Sequence, residues 1–177
     1  IFNLITSRPE DRYVHVYGPT ECTTFSTFSI LDNTTLDLDF VPIGRPIQNV
    51  GSHVLDNHRR ILPAGVPGEL YLSGAGLSTG YLNQPDVTAL AFIEKTVCEE
   101  SSLHHRLYKT GDIVRQCEEG VIEYIDRTDS QVKIRGFRIE PAEIETQISN
   151  IPTVNYTVVL PRKPSSGAYC LVAYIVM

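Results

Sequence analysis

Two apolar runs flank an acidic turn in the stretch YKTGDIVRQCEEGVIEYIDR, residues 108–127. The runs Asp112 to Arg115 and Val121 to Ile125 contain several β-branched residues, and short runs of this kind are typical of strands. Between them, Glu118-Glu119-Gly120 ends on the residue that most easily adopts a positive φ in a tight connection. The stretch therefore predicts a β-hairpin, and with it a strand-rich fold.

Similar runs, separated by Gly, Pro and Asn, extend over residues 12–126. The clearest of them predict strands at Arg12 to Val16, Ser52 to Leu55 and Glu69 to Ser73. A short helix is predicted at Asp86 to Ile93, because this segment follows a proline and carries apolar residues at helical spacing, namely Val87, Leu90 and Ala91.

The sequence after residue 127 predicts a strand, a helix and two further strands. Pro141 opens the helix, and Glu143 and Glu145 are expected in its first turn, near the positive end of the helix dipole. The strands are expected at Gln131 to Arg135, Val154 to Leu160 and Ala168 to Val176. The whole pattern predicts a mixed α/β (α+β) fold with two domains, 1–126 and 127–177, joined by a hinge at 127–129.

The composition narrows the classes of function. The chain has 15 Lys and Arg against 21 Asp and Glu, and no basic run interleaved with aromatic residues, so nucleic acid is not an expected partner. No apolar run reaches the roughly 18 residues that span a bilayer, so no membrane association is expected. We expect a cytoplasmic protein with reduced thiols, because no metal-binding spacing links Cys22, Cys98, Cys117 and Cys170.

The first segment suited to chemistry is Tyr17-Gly18-Pro19-Thr20-Glu21, directly after a predicted strand. Gly-Pro favours a loop. The aromatic ring, the hydroxyl and the carboxylate then lie together at a strand end, where open α/β sheets commonly hold ligands. The alternative is an ordinary surface turn with a capping Thr-Glu pair.

The second segment is Tyr108-Lys109-Thr110-Gly111-Asp112, a polar turn that enters a strand. A carboxylate at such a place can accept hydrogen bonds from the hydroxyls of a ribose. The alternative is that this Asp is only a turn residue, a common position for Asp beside Gly.

The third segment, residues 127–138, carries four cations in an acidic chain, with Asp129 as the single anion among them. Val132 and Ile134 alternate with Lys133 and Arg135, so a strand here has one apolar and one basic face. A basic face beside a glycine turn suits a nucleotide phosphate. The alternative is an edge strand whose charges discourage aggregation.

Taken together and in this order, the three segments resemble the later core motifs of adenylation domains of nonribosomal peptide synthetases, in the adenylate-forming (AMP-binding) enzyme superfamily. Gly68 to Tyr81 and Val132 to Glu140 belong to the same resemblance. It implies the C-terminal portion of a large domain with a β-barrel-like subdomain, followed by the start of a small mobile domain. The implied reaction joins an amino acid to ATP, giving an aminoacyl-adenylate and pyrophosphate, before the acyl group passes to a thiol.

The resemblance implies roles for single residues toward ATP or AMP. Tyr17 is implied to stack on the adenine, and Gly18 beside it is implied to belong to the same nucleotide-binding set. Asp112 is implied to accept the ribose hydroxyls, and Arg127 to contact the ribose or a phosphate. The implied catalytic residues are Thr20 as a phosphate-side hydroxyl, Glu21 as the ligand of Mg²⁺, and the cation Lys133, which also counts among the nucleotide contacts.

Further implied roles concern the substrate and the second half-reaction. Asp129 matches the hinge, and Lys133 and Gly136 match a loop that moves to the site for thiol transfer. Residues matching the wall of the amino-acid pocket are Val16, Thr24 and Phe25. The thiol acceptor is implied to be phosphopantetheine on a peptidyl carrier domain, with a condensation domain in the same synthetase.

We expect the chain to be an internal segment that is inactive alone. It begins at Ile1 without an initiator Met and stops at Met177 inside an apolar run, and the family's two functional lysines are expected before Tyr17 and after Met177. Two alternatives stay open. One is a fragment of an acyl-CoA or aryl-acid ligase, and the other is a non-catalytic nucleotide-binding module on the same scaffold.

Overall fold

The structure, a computed structural model, describes residues 2–8, 10–33, 35, 38–96, 104–134, 136–163 and 169–177. The chain forms two compact units, Ile1–Thr128 and Asp129–Met177. Both units combine helices with antiparallel sheets, so the mixed α/β class predicted from the sequence is confirmed. In the described part of the chain, no helix combines the length and the apolar character that crossing a bilayer requires.

A small sheet follows the first helix of unit 1. The helix α1 spans Phe2–Ser7, and the strands are β1 (Tyr13–Tyr17), β2 (Thr27–Leu31) and β3 (Arg45–Pro46), in the order β1-β2-β3. Side chains alternate between the two faces of the β1–β2 pair. One face buries Tyr17, Thr27 and Leu31, and the other exposes Val14, Val16, Phe28 and Ile30.

The larger sheet of unit 1 is built around its longest strand. Its strands are β4 (Val50–Leu55), β5 (Pro67–Gly74), β6 (Phe92–Thr96), β7 (His104–Gln116) and β8 (Ile122–Arg127). One edge of β7 pairs with β5, and the other edge pairs first with β6 and then with β8. The fully buried side chains of this sheet form the core of the unit, among them Leu70, Leu72, Leu107, Val114 and Ile122.

The predicted hairpin is confirmed: β7 and β8 pair antiparallel across a connection that contains a 3-10 turn at Glu118–Gly120. The predicted helix is shorter than expected. The helix α2 covers Pro85–Ala91, and Phe92 and Ile93 begin β6 instead. Both residues are buried, whereas the predicted helical face carries the exposed Val87 and Leu90. Packing into the sheet therefore overrides the local helical spacing.

Unit 2 contains two hairpins and a helix. Its elements are β9 (Val132–Ile134), β10 (Phe137–Ile139), α3 (Pro141–Ser149), β11 (Tyr156–Arg162) and β12 (Cys170–Val176), with β9 paired to β10 and β11 to β12. The prediction for Glu145 was wrong. This residue lies beyond the first helical turn, and its carboxylate accepts a hydrogen bond from the Val159 N–H of β11 at 2.7 Å.

Some sequence predictions concern residues outside the described part of the chain. They are the end of the basic strand at Arg135, the thiol of Cys98, and the start of the last strand at Ala168. The sequence also left several elements unpredicted, namely α1, β2, β3, the end of β6, β10 and the first half of β7.

Candidate functional site

Asp112 stands on a bulge in the central strand. Glu69 of β5 pairs with Ile113 and Tyr71 pairs with Lys109, so Leu70 alone faces the segment Thr110 to Asp112. Gly111 has a φ of 75°, which glycine adopts without the strain that a side chain would bring. Such bulges bend a strand and redirect its side chains. The bulge therefore lies within the segment predicted to bind the ribose, Tyr108 to Asp112, and bends β7 there.

Thr110 stabilises the bulge from inside. Its hydroxyl donates to the Leu70 carbonyl at 2.8 Å and accepts from the Asp112 N–H at 3.0 Å. The Gly111 carbonyl accepts from the Thr128 N–H at 2.8 Å. The irregular main chain thus keeps its hydrogen bonds, as buried polar groups require.

The Asp112 carboxylate receives two side chains that the sequence predicted for the same site. The hydroxyl of Tyr17, at the end of β1, donates to Oδ2 of Asp112. Nη1 of Arg127, at the end of β8, donates to Oδ1 at 2.5 Å, and Nη2 donates to the Thr110 carbonyl at 3.2 Å. All three side chains are largely buried. Residues from three separate strands therefore form one hydrogen-bonded cluster.

The protonation of this cluster follows from its burial. Burial raises the pKa of the Tyr17 hydroxyl well above its usual range, and the neighbouring Asp112 charge and hydrogen bond raise it further. Tyr17 is therefore a donor at neutral pH. Tyr17 and Arg127 each donate to a different oxygen of the Asp112 carboxylate, a group with about four acceptor positions. A carboxylate is also the type of acceptor that the hydroxyls of a ribose use.

The loop after Tyr17 makes a close main-chain approach that only glycine permits. A Cβ on Gly18 would lie 2.5 Å from the Thr24 carbonyl oxygen. The Tyr17 carbonyl accepts from the Ser26 N–H at 2.8 Å, which closes the loop. Thr23 and Thr24 both have positive φ angles, 57° and 70°, which are uncommon for residues with side chains. The loop is therefore tightly constrained.

Thr20 and Glu21 lie in this loop on a short 3-10 turn, Thr20–Cys22. Thr20 is exposed, whereas the Glu21 side chain is buried, and its Oε1 accepts from the Tyr81 hydroxyl at 2.6 Å. Burial, reinforced by the Glu21 carboxylate, raises the pKa of the Cys22 thiol to about 12. Cys22 thus remains a neutral packing residue.

The three residues predicted to line a substrate pocket are all exposed in unit 1. Val16 lies on the outer face of β1, opposite Phe28 of β2. Thr24 and Phe25 follow the 3-10 turn. The outer face of β1 and β2 is apolar and exposed, so it can contribute a wall to a cavity, which these strands do not enclose alone.

The remaining predicted residues lie in unit 2. Asp129 is its first residue, and its Oδ1 accepts from the Gln131 N–H at 3.1 Å. Lys133 is an exposed residue of β9, and Gly136, with a φ of 83°, forms the turn to β10. The glycine fits this hairpin because a positive φ carries little strain there.

Sequence reasoning missed Tyr81 as a partner of Glu21. In the sequence, Tyr81 belongs to the stretch Gly68 to Tyr81, which enters only through the family resemblance. A Gly-rich loop directly after a strand is a signal that such a segment approaches another loop closely, but it does not identify the partner. The contact spans 60 positions in the sequence.

Comparisons with known proteins bear on what this site does. A model of the AMP-binding enzyme family matches residues 4–82. One component of the linear gramicidin synthase of Brevibacillus parabrevis is 46% identical over 166 residues, which is 94% of this chain and 3% of that protein. Bacitracin synthase 1 of Bacillus licheniformis is 42% identical over 93% of this chain and 3% of its own length. The chain thus spans a small part of the relatives it matches.

Solved structures give a similar fold. PA1221, described as an NRPS protein containing adenylation and PCP domains, superimposes with a TM-score of 0.84 at 31% identity, over 97% of this chain and 34% of that one. AB3403, a four domain nonribosomal peptide synthetase bound to AMP and glycine, gives a TM-score of 0.59 at 36% identity, over 93% of this chain and 12% of that one. Sequence and fold therefore indicate the same kind of protein.

Proposed function

We propose that this chain, which matches the AMP-binding enzyme family model over residues 4–82 and resembles proteins of nonribosomal peptide synthesis in sequence and fold, is an adenylation segment that supplies part of a site activating an amino acid with ATP. The proposed reaction joins the amino acid to AMP and releases pyrophosphate. The aminoacyl group then passes to phosphopantetheine on a peptidyl carrier domain.

The observation that carries the proposal is the buried cluster of Tyr17, Asp112 and Arg127. Three strands bring an aromatic ring, a carboxylate and a guanidinium together, and the family model matches a part of the chain that includes Tyr17. We assign the Asp112 oxygens to the ribose hydroxyls and Arg127 to the ribose or a phosphate. Tyr17 is assigned to the adenine face, with its hydroxyl directed at Asp112.

The second part of the proposal concerns charge at the phosphates. The Glu21 carboxylate lies in the loop that follows Tyr17. Proteins commonly bind the Mg²⁺ that accompanies nucleotide phosphates through carboxylate oxygens of this kind. Mg²⁺ bound there would offset the negative charge that develops on the phosphates. Thr20, exposed beside Glu21, is assigned as a hydroxyl donor to the same phosphates.

The roles in unit 2 concern the second half-reaction. We assign Lys133 and Gly136, both on the exposed β9–β10 hairpin, to the surface that serves thiol transfer, and Asp129 to the hinge. Val16, Thr24 and Phe25 are assigned to an apolar wall of the amino-acid pocket. A condensation domain of the same synthetase is the expected partner that uses the aminoacyl group bound to the carrier domain.

The proposal is tested by amino-acid-dependent exchange of pyrophosphate into ATP in the full-length protein that carries this sequence. We expect exchange with at least one amino acid and none with the isolated 177-residue chain. Exchange with an aryl or fatty acid alone would instead indicate a ligase of that substrate class. Absence of exchange with every carboxylic acid would support the non-catalytic module.

Asp112→Asn tests the assigned nucleotide contact. The amide keeps the shape of the side chain but loses the charge that pairs with Arg127 and half of its acceptor capacity. We expect the KM for ATP to rise by about tenfold or more, as for loss of a hydrogen bond to a charged group, while the KM for the amino acid changes little. The control is Asp86→Asn on the exposed face of α2. An equal rise in both KM values would contradict the assignment.

A further inference from the structure

The loop Gly74 to Tyr81, here called the brace loop, contacts the Glu21 turn at three points. The Ser78 N–H donates to the Glu21 carbonyl at 2.8 Å, and the Thr23 hydroxyl donates to the Gly76 carbonyl at 2.7 Å. The Tyr81 hydroxyl donates to Oε1 of Glu21 at 2.6 Å. The first two contacts hold the two loops together, and the third reaches the carboxylate itself.

The brace loop is itself held by Arg106 of β7. The Arg106 guanidinium donates to the Ser78 carbonyl at 2.5 Å and to the Thr79 carbonyl at 2.8 Å. It also lies over the ring of Phe92, with 4.3 Å between the guanidinium carbon and the ring centroid. Because Arg106 and Phe92 belong to paired strands of the larger sheet, the brace loop is fixed to the core of the unit.

Tyr81 is positioned by Thr88 and Phe92. Its N–H donates to the Thr88 hydroxyl oxygen at 2.9 Å, and its ring packs edge-on against Phe92 with centroids 5.9 Å apart. A Cβ on the preceding Gly80 would lie 2.4 Å from a Thr88 methyl carbon, and Gly80 has a φ of 145°. The Tyr81 ring therefore has little freedom to move, and its hydroxyl is held in position beside the Glu21 carboxylate.

A phenol suits the task of orienting a metal-binding carboxylate. Glu side chains have several rotatable bonds, and a single hydrogen bond to one oxygen limits their orientation. A neutral donor leaves the negative charge available to a cation, whereas Lys or Arg at the same position would compete with that cation. Partners of metal ligands commonly act in this way.

We propose that Tyr81 is a positioning residue that orients Glu21 for the divalent cation. The inference rests on the proposed function, in which Glu21 is the ligand of Mg²⁺. In this role Tyr81 acts on the Glu21 carboxylate and not on the substrate. It affects the reaction through the geometry of the Glu21 carboxylate and therefore through the concentration of Mg²⁺ that the reaction requires.

The test is Tyr81→Phe in the full-length protein, a change that keeps the ring and its packing against Phe92. We expect the free Mg²⁺ concentration for half-maximal pyrophosphate exchange, at saturating ATP, to rise about tenfold or more, the usual effect of removing a partner of a metal ligand. The thermal midpoint should stay near that of the unchanged protein. The matched control is Tyr71→Phe, which removes another tyrosine-to-carboxylate hydrogen bond, to Glu69 of the same strand, β5, at 3.2 Å.

Mn²⁺ binding in the presence of a non-hydrolysable ATP analogue, followed by electron paramagnetic resonance, gives a second measurement that needs no turnover. We expect Tyr81→Phe to weaken Mn²⁺ binding by a similar factor and Tyr71→Phe to leave it unchanged. Unchanged Mn²⁺ and Mg²⁺ dependence in Tyr81→Phe overturns the inference. Mn²⁺ binding without exchange in the unchanged protein would defeat the proposed function, while the Tyr81→Phe titration would still decide the role of Tyr81.

Discussion

Asp112 is an acidic residue that lies buried against two polar partners. It is 5% exposed, and its ion pair with Arg127 lies in the cluster that also includes Tyr17. Bringing two charges out of water is costly, and a buried pair is tolerated because each charge offsets the other. The cluster therefore constrains the ends of β1 and β8 and the bulge of β7, as well as presenting polar atoms.

Arg127→Met tests the structural part of this role. The change leaves the Asp112 carboxylate buried beside Tyr17 alone, and removal of one partner from a buried pair costs about 3 kcal/mol. Hydrogen–deuterium exchange of peptides from β7 and β8 measures this loss as a lower free energy of local opening.

The matched control for that experiment is Arg60→Met. Arg60 also pairs with an aspartate, Asp56, at 2.8 Å, but the Arg60 side chain is 75% exposed. Exposed pairs contribute about 1 kcal/mol or less, so peptides around Asp56 should exchange nearly as before. Equal effects of the two substitutions would show that burial does not set the strength of the Asp112 pair.

At the scale of elements, β5 and β7 carry both the core and the site. Leu70 and Leu72 of β5 have no exposed surface, and Leu70 is the residue that faces the bulge of β7. The Leu70 carbonyl also accepts from the Thr110 hydroxyl. The position of Asp112 therefore depends on the packing of a neighbouring strand.

Leu70→Ala should lower the free energy of unfolding by about 3 kcal/mol, because it removes buried methyl groups and leaves a cavity. Leu70 is fully buried, and its strand β5 lies between β4 and β7. Urea denaturation followed by circular dichroism measures the change. Leu90→Ala is the control, since Leu90 of α2 is 76% exposed, and it should change the same quantity by less than about 0.5 kcal/mol. A small effect at Leu70 would place the core of the unit elsewhere.

The elements also show where local sequence signals stop being informative. The hairpin of β7 and β8 was predictable because its strands and its glycine turn are adjacent in the chain. The bulge was not, since Gly111 permits a positive φ but the register of β5 against β7 decides where the extra residues lie. The helix α2 ends at Ala91 for a similar reason, because Phe92 and Ile93 gain more by burial in β6 than by extending a helix.

At the scale of the whole molecule, the hydrogen bonding changes between two successive residues. Thr128 donates its N–H to Gly111 in unit 1, and the Asp129 carboxylate accepts from Gln131 in unit 2. A change of backbone angles at this point would leave both sets of bonds in place. This supports the proposed hinge.

Asp129→Pro tests the hinge in the full-length protein. Proline fixes φ near −65° and restricts the preceding residue, so it limits rotation at this point. We expect thioester formation on the carrier domain to slow more than pyrophosphate exchange. Asp129→Ala is the control, because it removes the carboxylate but keeps the backbone free. Equal slowing of both half-reactions in the proline variant would count against a hinge here.

The sequence by itself determined the class of fold, the β7–β8 hairpin and the segments that resemble an adenylation domain, because these depend on residues close together in the chain. Only the tertiary structure decided which side chains meet. Tyr17 reaches Asp112 across 95 positions, and Tyr81 reaches Glu21 across 60. Such contacts depend on strand register and on close approach of loops, which are set by packing of the whole unit. Local sequence patterns therefore do not predict which of these distant residues come into contact.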